Sequence, residues 1–177
     1  IAVAQAFMAR HSRNQVLFVN AGRPLDTTVL NRLGWPYKVI PIEGLKHRGP
    51  WKQLRALFKT PWAIWRSRNI LREFKPDVVL GMGGYITFPG GMIAAVLRRP
   101  LVIHEQNSIA GLSNKVLARF AQKVLSGFPD VLPHAIWCGN PVRGDIAALP
   151  RPQQRNGARN GRLNVLVEGG SLGAKVI

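Results

Sequence analysis

Pro76-Asp-Val-Val-Leu-Gly-Met-Gly-Gly-Tyr85 and Leu101-Val-Ile-His-Glu-Gln-Asn107 are the two stretches that decide the fold. Each opens with a short apolar run, the pattern of a strand buried on both faces. Between them Phe88-Pro-Gly-Gly91 leads into an apolar helix running to Leu97, which Pro89 is suited to start. Strand, glycine turn, helix and strand make one unit of a parallel sheet. In open sheets of this kind ligands bind beyond the carboxyl ends of the strands. That rule brings Gly81, Gly83, Gly84, His104, Glu105 and Asn107 to one edge.

The same alternation extends both ways. Residues 1–13 read as an amphipathic helix and Val16–Asn20 as a strand. Asp26 or Thr27 is placed to cap a helix through Leu33 that Gly34 ends, and Tyr37–Ile42 is a strand whose Pro41 suggests a sheet edge. Downstream, a helix is expected through Phe120, then strands at Lys123–Ser126 and Ala135–Cys138, then Gly139-Asn-Pro-Val-Arg143. The class is α/β with a Rossmann-like, doubly wound parallel sheet. Residues 149–162 are rich in proline, glycine and arginine and read as a linker. This gives a domain at 1–148 and the start of a second at 163–177. The second opens with a strand and Glu168-Gly-Gly-Ser-Leu-Gly-Ala174, another candidate phosphate cradle with Ser171 in it. The chain starts at Ile1 inside a helix-like run and stops inside another, so a fragment truncated at both ends is expected.

Residues 46–75 carry nine Lys or Arg, one acid and three of the five tryptophans. At about 100° per residue, Trp51, Leu54, Phe58, Trp62 and Trp65 share an arc of roughly 80°, and Lys52, Arg55, Lys59 and Arg66 adjoin it. Thr60-Pro61 is expected to split the segment into two helices, with Thr60 as the cap. One reading makes the tryptophans core and the cations solvated. The other lays an aromatic and basic face into a lipid headgroup layer, with Trp51, Phe58, Trp62 and Trp65 as its apolar side.

Composition narrows the partners. The net charge is +17 at pH 7, from 25 Lys and Arg against 8 Asp and Glu. That implies a polyanionic neighbour: nucleic acid, an anionic membrane or a phosphorylated substrate. No helix-turn-helix, zinc or RNA-binding signature interleaves with the charge, which argues against nucleic acid. Cys138 is the only cysteine, so no internal disulfide forms. No apolar run reaches the about 18 residues that a membrane span requires. No Asp-x-Asp pair points to a metal on a diphosphate, and no cofactor motif stands out.

The residues at the strand ends suggest roles. Gly83 and Gly84 let backbone approach a ligand, and the helix after them offers amides and a positive dipole end to phosphate. Glu105 is suited to accept from a sugar hydroxyl or act as a base, or it braces the following helix. Asn107 both donates and accepts. Arg143 is suited to reach a diphosphate, or is an ordinary surface arginine.

Taken together, Asp77–Tyr85, His104–Asn107 with Ala110–Lys115, Gly139–Arg143 and Val165–Ala174 resemble the family of bacterial N-acetylglucosaminyltransferases of peptidoglycan synthesis, in glycosyltransferase family 28. The resemblance covers nearly the whole chain in order and spacing. It implies the N-terminal domain of a two-domain GT-B enzyme. It also implies inverting transfer of N-acetylglucosamine (GlcNAc) from UDP-GlcNAc to the 4-hydroxyl of lipid I, on the cytoplasmic face of the membrane. Asn107, Arg143 and Ser171 would contact UDP-GlcNAc. Gly83, Gly84 and Tyr85 would line the acceptor diphosphate, and Glu105 would orient or deprotonate the acceptor. Phe88, Ser108 and Glu168 depart from the usual pattern. The family's first strand, with a histidine-bearing glycine loop, and most of its second domain have no counterpart here, so the chain alone is expected to be inactive. A nucleotide-sugar epimerase on the same fold is the alternative within the class.

Overall fold

Short apolar runs set the strands, and every strand pairing is parallel. A computed structural model describes residues 1–42, 50–151 and 154, with the backbone alone for 50–60. The order is α1 (Ala2–Arg10), β1 (Phe18–Asn20), α2 (Pro24–Arg32), β2 (Tyr37–Val39), α3 (Pro50–Phe74), β3 (Val79–Gly81), α4 (Thr87–Val96), β4 (Leu101–Glu105), α5 (Leu112–Leu117), β5 (Lys123–Ser126), β6 (Ile136–Trp137) and α6 (Gly144–Ala147). A first compact unit comprises Ile1–Pro141 and a second Val142–Ile177. The expected linker at 149–162 and the strand from Leu163 lie almost wholly outside the described residues.

The expected sheet is divided. β1 and β2 form one two-stranded sheet, and β3-β4-β5-β6 form another in that order. Among the described residues β1 pairs only with β2, and β3 only with β4. Each of β1 and β3 thus has one edge without a strand partner among the described residues. Val19 of β1 and Leu80 of β3 are 36% and 41% exposed, high values for strand residues of this apolar pattern.

The core lies where the four-stranded sheet meets its helices. Leu101, Ile103, Leu117 and Val124 are buried together with Ala110 and Leu132. Full burial of each large aliphatic side chain stabilises by about 1.5–3 kcal/mol. α4 crosses close to α5: a Cβ on Gly91 would lie 2.7 Å from Leu117 Cδ1, so only glycine fits there. α3 packs on the same layer through Ile64 and Leu71 against Ile93 and Ala94, and through Ala63 and Ile70 against Ile40.

Three helices differ from the sequence reading. α2 begins at Pro24, with Arg23 as its cap residue. Proline suits the first helical position, and Thr27 sits inside the helix with its hydroxyl donating to the Pro24 carbonyl at 3.0 Å. α3 runs unbroken through Pro61. A proline removes one backbone bond, and beyond Pro61 the helix carries Ala63, Ser67, Ile70 and Leu71 on one buried stripe. α4 starts at Thr87, so Pro89 is its third residue rather than its first. α1 ends at Arg10, and of its residues only Ala4 is buried.

Candidate functional site

β3 ends in Gly81, where a Cβ would lie 2.6 Å from Thr87 Cγ2. Close approach of strand and helix therefore demands glycine at this position. Gly83 and Gly84 follow, both at φ +77°, in the left-handed region that side chains resist. The Thr87 hydroxyl donates to the Gly83 carbonyl and closes the turn. The amides of Thr87 and Phe88 donate back to the carbonyls of Gly84 and Tyr85, and Pro89 has no amide hydrogen. The first turn of α4 is thus largely spent, which corrects the expectation that its amides serve phosphate. The available donors sit one step earlier. Among the described residues no acceptor meets the amides of Met82, Gly83, Gly84 or Tyr85.

β4 delivers His104 and Glu105 to the same sheet edge. Glu105 is 2% exposed. Its Oε1 accepts from the Asn107 backbone N–H at 3.0 Å and from Asn107 Nδ2 at 2.9 Å. Its Oε2 accepts from the Gly111 N–H at 3.0 Å and from Asn114 Nδ2 at 2.9 Å. Burial pushes this carboxyl up. The Gly111 and Asn107 amides, followed by the Asn114 and Asn107 side chains, outweigh it and hold the group below the ordinary carboxylate value. Asn114, on α5, also donates to the His104 carbonyl at 3.2 Å.

The glycine turn and this loop touch. A Cβ on Gly83 would lie 3.4 Å from Asn114 Nδ2 and 3.4 Å from Gln106 Oε1. Asn107 itself is exposed. With one hydrogen engaged by Glu105, its carbonyl oxygen and second hydrogen remain for a ligand.

His104 and Gln106 hold the next segment. His104 Nε2 lies 3.0 Å from the Gly139 carbonyl and must donate to it. Its Nδ1 is buried and unpartnered among the described residues. Asn140 Nδ2 donates to the Gln106 carbonyl at 3.1 Å. A Cβ on Gly127 would sit 2.1 Å from Asn140 Oδ1, so a side chain there would displace the Asn140 amide from its place. The Gly139 turn is therefore tied to the ends of β4 and β5.

Of the remaining expected residues, some belong to the second unit or to α3 and others lie outside the described residues. In the second unit Arg143 caps α6 and its Nε sits 3.5 Å from Asp145 Oδ1, both side chains being well exposed. Ser171 falls outside the described residues. On α3, Trp62 and Trp65 are 42% and 54% exposed. The side chains of Trp51 and Phe58 are not described.

Sequence reasoning assigned no role to Asn114, Gly111 or Asn140. The legible signal for Asn114 was an asparagine within a short helix, where helix formers are favoured. Asn20 was missed too: its side chain accepts from the Gly22 N–H at 2.8 Å, shaping the turn after β1.

Residues 1–126 match the glycosyltransferase family 28 N-terminal domain. A protein of Burkholderia ambifaria named UDP-N-acetylglucosamine--N-acetylmuramyl-(pentapeptide) pyrophosphoryl-undecaprenol N-acetylglucosamine transferase is 49% identical over 163 residues, 92% of this chain and 44% of that protein. One of the same name from Cupriavidus metallidurans is 48% identical over 177 residues, 100% of this chain and 49% of its own length. The chain thus spans about half the length of the curated relatives it matches. Among solved structures, Acinetobacter baumannii MurG superposes with a TM-score of 0.73 at 32% identity, over 98% of this chain and 48% of that one. A UDP-N-acetylglucosamine 2-epimerase superposes with a TM-score of 0.53 at 18% identity, over 73% of this chain and 38% of that one, which is a likeness of fold alone.

Proposed function

The chain belongs to glycosyltransferase family 28, and on that premise we propose that it is the acceptor-side half of a lipid II-forming GlcNAc transferase. The enzyme moves GlcNAc from UDP-GlcNAc to the 4-hydroxyl of the MurNAc sugar of lipid I, with inversion. The acceptor oxygen bonds to the anomeric carbon as the bond to UDP breaks, and UDP leaves with the electron pair. Such a displacement needs a base for the hydroxyl proton and donors for the departing diphosphate.

The observation that carries this reading is the interlock of two loops at one sheet edge. Among the described residues no acceptor meets the amides of the Gly83–Tyr85 turn, which lies close to Gln106 of the Glu105–Gly111 loop and to Asn114, and Asn107 is bonded to Glu105 in that loop. In this assignment Gly83, Gly84 and Tyr85 receive the acceptor diphosphate. Asn107, with Arg143 and Ser171, contacts the nucleotide sugar. The names of the relatives at 48–49% identity support the same substrates. The epimerase alternative has only a likeness of fold behind it.

The proposed location is peripheral, on the cytoplasmic face of the bacterial membrane, because lipid I is anchored there by its undecaprenyl chain. No described helix is long and apolar enough to cross a membrane. The half-exposed Trp62 and Trp65 lie on α3 with the exposed Arg66 and Arg72, a composition suited to anionic headgroups. Nucleic acid is not among the proposed partners.

The test is transfer by the polypeptide in the length its gene encodes, given labelled UDP-GlcNAc and lipid I. Labelled lipid II is expected, with UDP-glucose giving far less product. Equal use of UDP-glucose, or no product, overturns the proposal.

A further inference from the structure

Glu105 is the one acid fully buried at the proposed site, and its surroundings are unlike those of a base. A base must have an oxygen open to the proton it takes. Both Glu105 oxygens are filled, each by one backbone N–H and one side-chain amide. The donors come from residues 107, 111 and 114, so one carboxylate gathers the whole loop between β4 and α5. Packing does only part of this work: Ala110 is buried, while Ile109 in the loop and Leu112 at the start of α5 are 78% and 72% exposed. The Asn107 rotamer is set by its bond to Oε1. The Asn114 amide, held by Oε2 and the His104 carbonyl, lies where a Cβ on Gly83 would meet it at 3.4 Å.

We propose that Glu105 is a positioning residue, a buried clamp that with Asn114 presets Asn107 for the nucleotide sugar and fixes the glycine turn beside it. This rests on the proposed transfer reaction and deepens it, because it leaves the acceptor's proton to another group. Glu105→Gln replaces an accepting oxygen with a donating NH₂ that faces two donors, so half of the clamp opens.

Two readouts in the complete enzyme test the clamp. The first needs no activity. In Glu105→Gln, amide exchange in the peptide spanning residues 105–114 speeds by about tenfold or more. Unchanged exchange overturns the clamp whatever the enzyme's substrate. The second is kinetic. Glu105→Gln raises KM for UDP-GlcNAc by about tenfold, and combining it with Asn107→Ala adds little, because the two act through one contact. Unchanged KM, with kcat lost and its acid limb abolished, makes Glu105 the base and overturns the proposal. Multiplying losses in the double variant overturn it as well.

Should Glu105→Gln not fold, Asn107→Ala carries the test, since it alters an exposed residue. Removing the Asn107 side-chain bond raises the Glu105 pKa. The acid limb of kcat then moves to higher pH if Glu105 is the base, and stays in place if it is a clamp. Failure of the wild type to make lipid II counts against the proposed reaction, not against the clamp.

Discussion

At Glu105 a charge is buried and kept. The four donors around it hold the carboxyl below its ordinary value. A group whose folded pKa lies below its unfolded one adds stability above the unfolded pKa and loses it as pH falls through the folded pKa. Thermal melts at decreasing pH are therefore expected to show an acid-side loss of Tm that Glu105→Gln lacks, because the amide does not titrate. Identical acid-side slopes in both proteins would show that this carboxylate contributes nothing to the pH dependence. The sequence placed Glu105 at a strand end, since Leu101–Ile103 is an unbroken apolar run. It left base and brace open, because the deciding partners, Gly111 and Asn114, reach Glu105 only through the turn of the intervening loop.

At the scale of elements, β4 and β5 were legible almost to the residue, because continuous apolar runs in a parallel sheet have only one way to be buried. α3 was misread as two helices: the local cost of Pro61 was visible in the sequence, yet the helix runs on through it, and a buried stripe follows at Ala63, Ser67, Ile70 and Leu71. That stripe bears on the tryptophan question. Ala63, Ser67, Ile70 and Leu71 turn inward, leaving Trp62 and Trp65 half exposed on α3. Exposed aromatics next to arginines stabilise attachment to anionic bilayers through both apolar burial and charge. Replacing both tryptophans with serine is expected to weaken binding to phosphatidylglycerol-containing vesicles by about tenfold or more, with Tm little changed. Unchanged vesicle binding would remove this face from the membrane contact, and a large fall in Tm would return the tryptophans to the core.

For the molecule as a whole, composition gave class and sign of partner, and the strand ends gave place. A net charge of +17 suits a phosphate-rich neighbour, yet the residues proposed to meet the acceptor diphosphate are backbone amides in a glycine turn. The division into two sheets was not legible, because alternating strands and helices do not say which strands pair. The central claim is that the carboxyl ends of β3 and β4 are where the lipid-linked acceptor and the nucleotide sugar meet. Hydrogen exchange on the complete enzyme reads both ends at once. A short-chain lipid I analogue is predicted to slow exchange of the amides of residues 82–85 by about tenfold, and UDP-GlcNAc to protect the 105–111 loop instead. Saturating acceptor that leaves residues 82–85 exchanging as in the free enzyme would contradict the account.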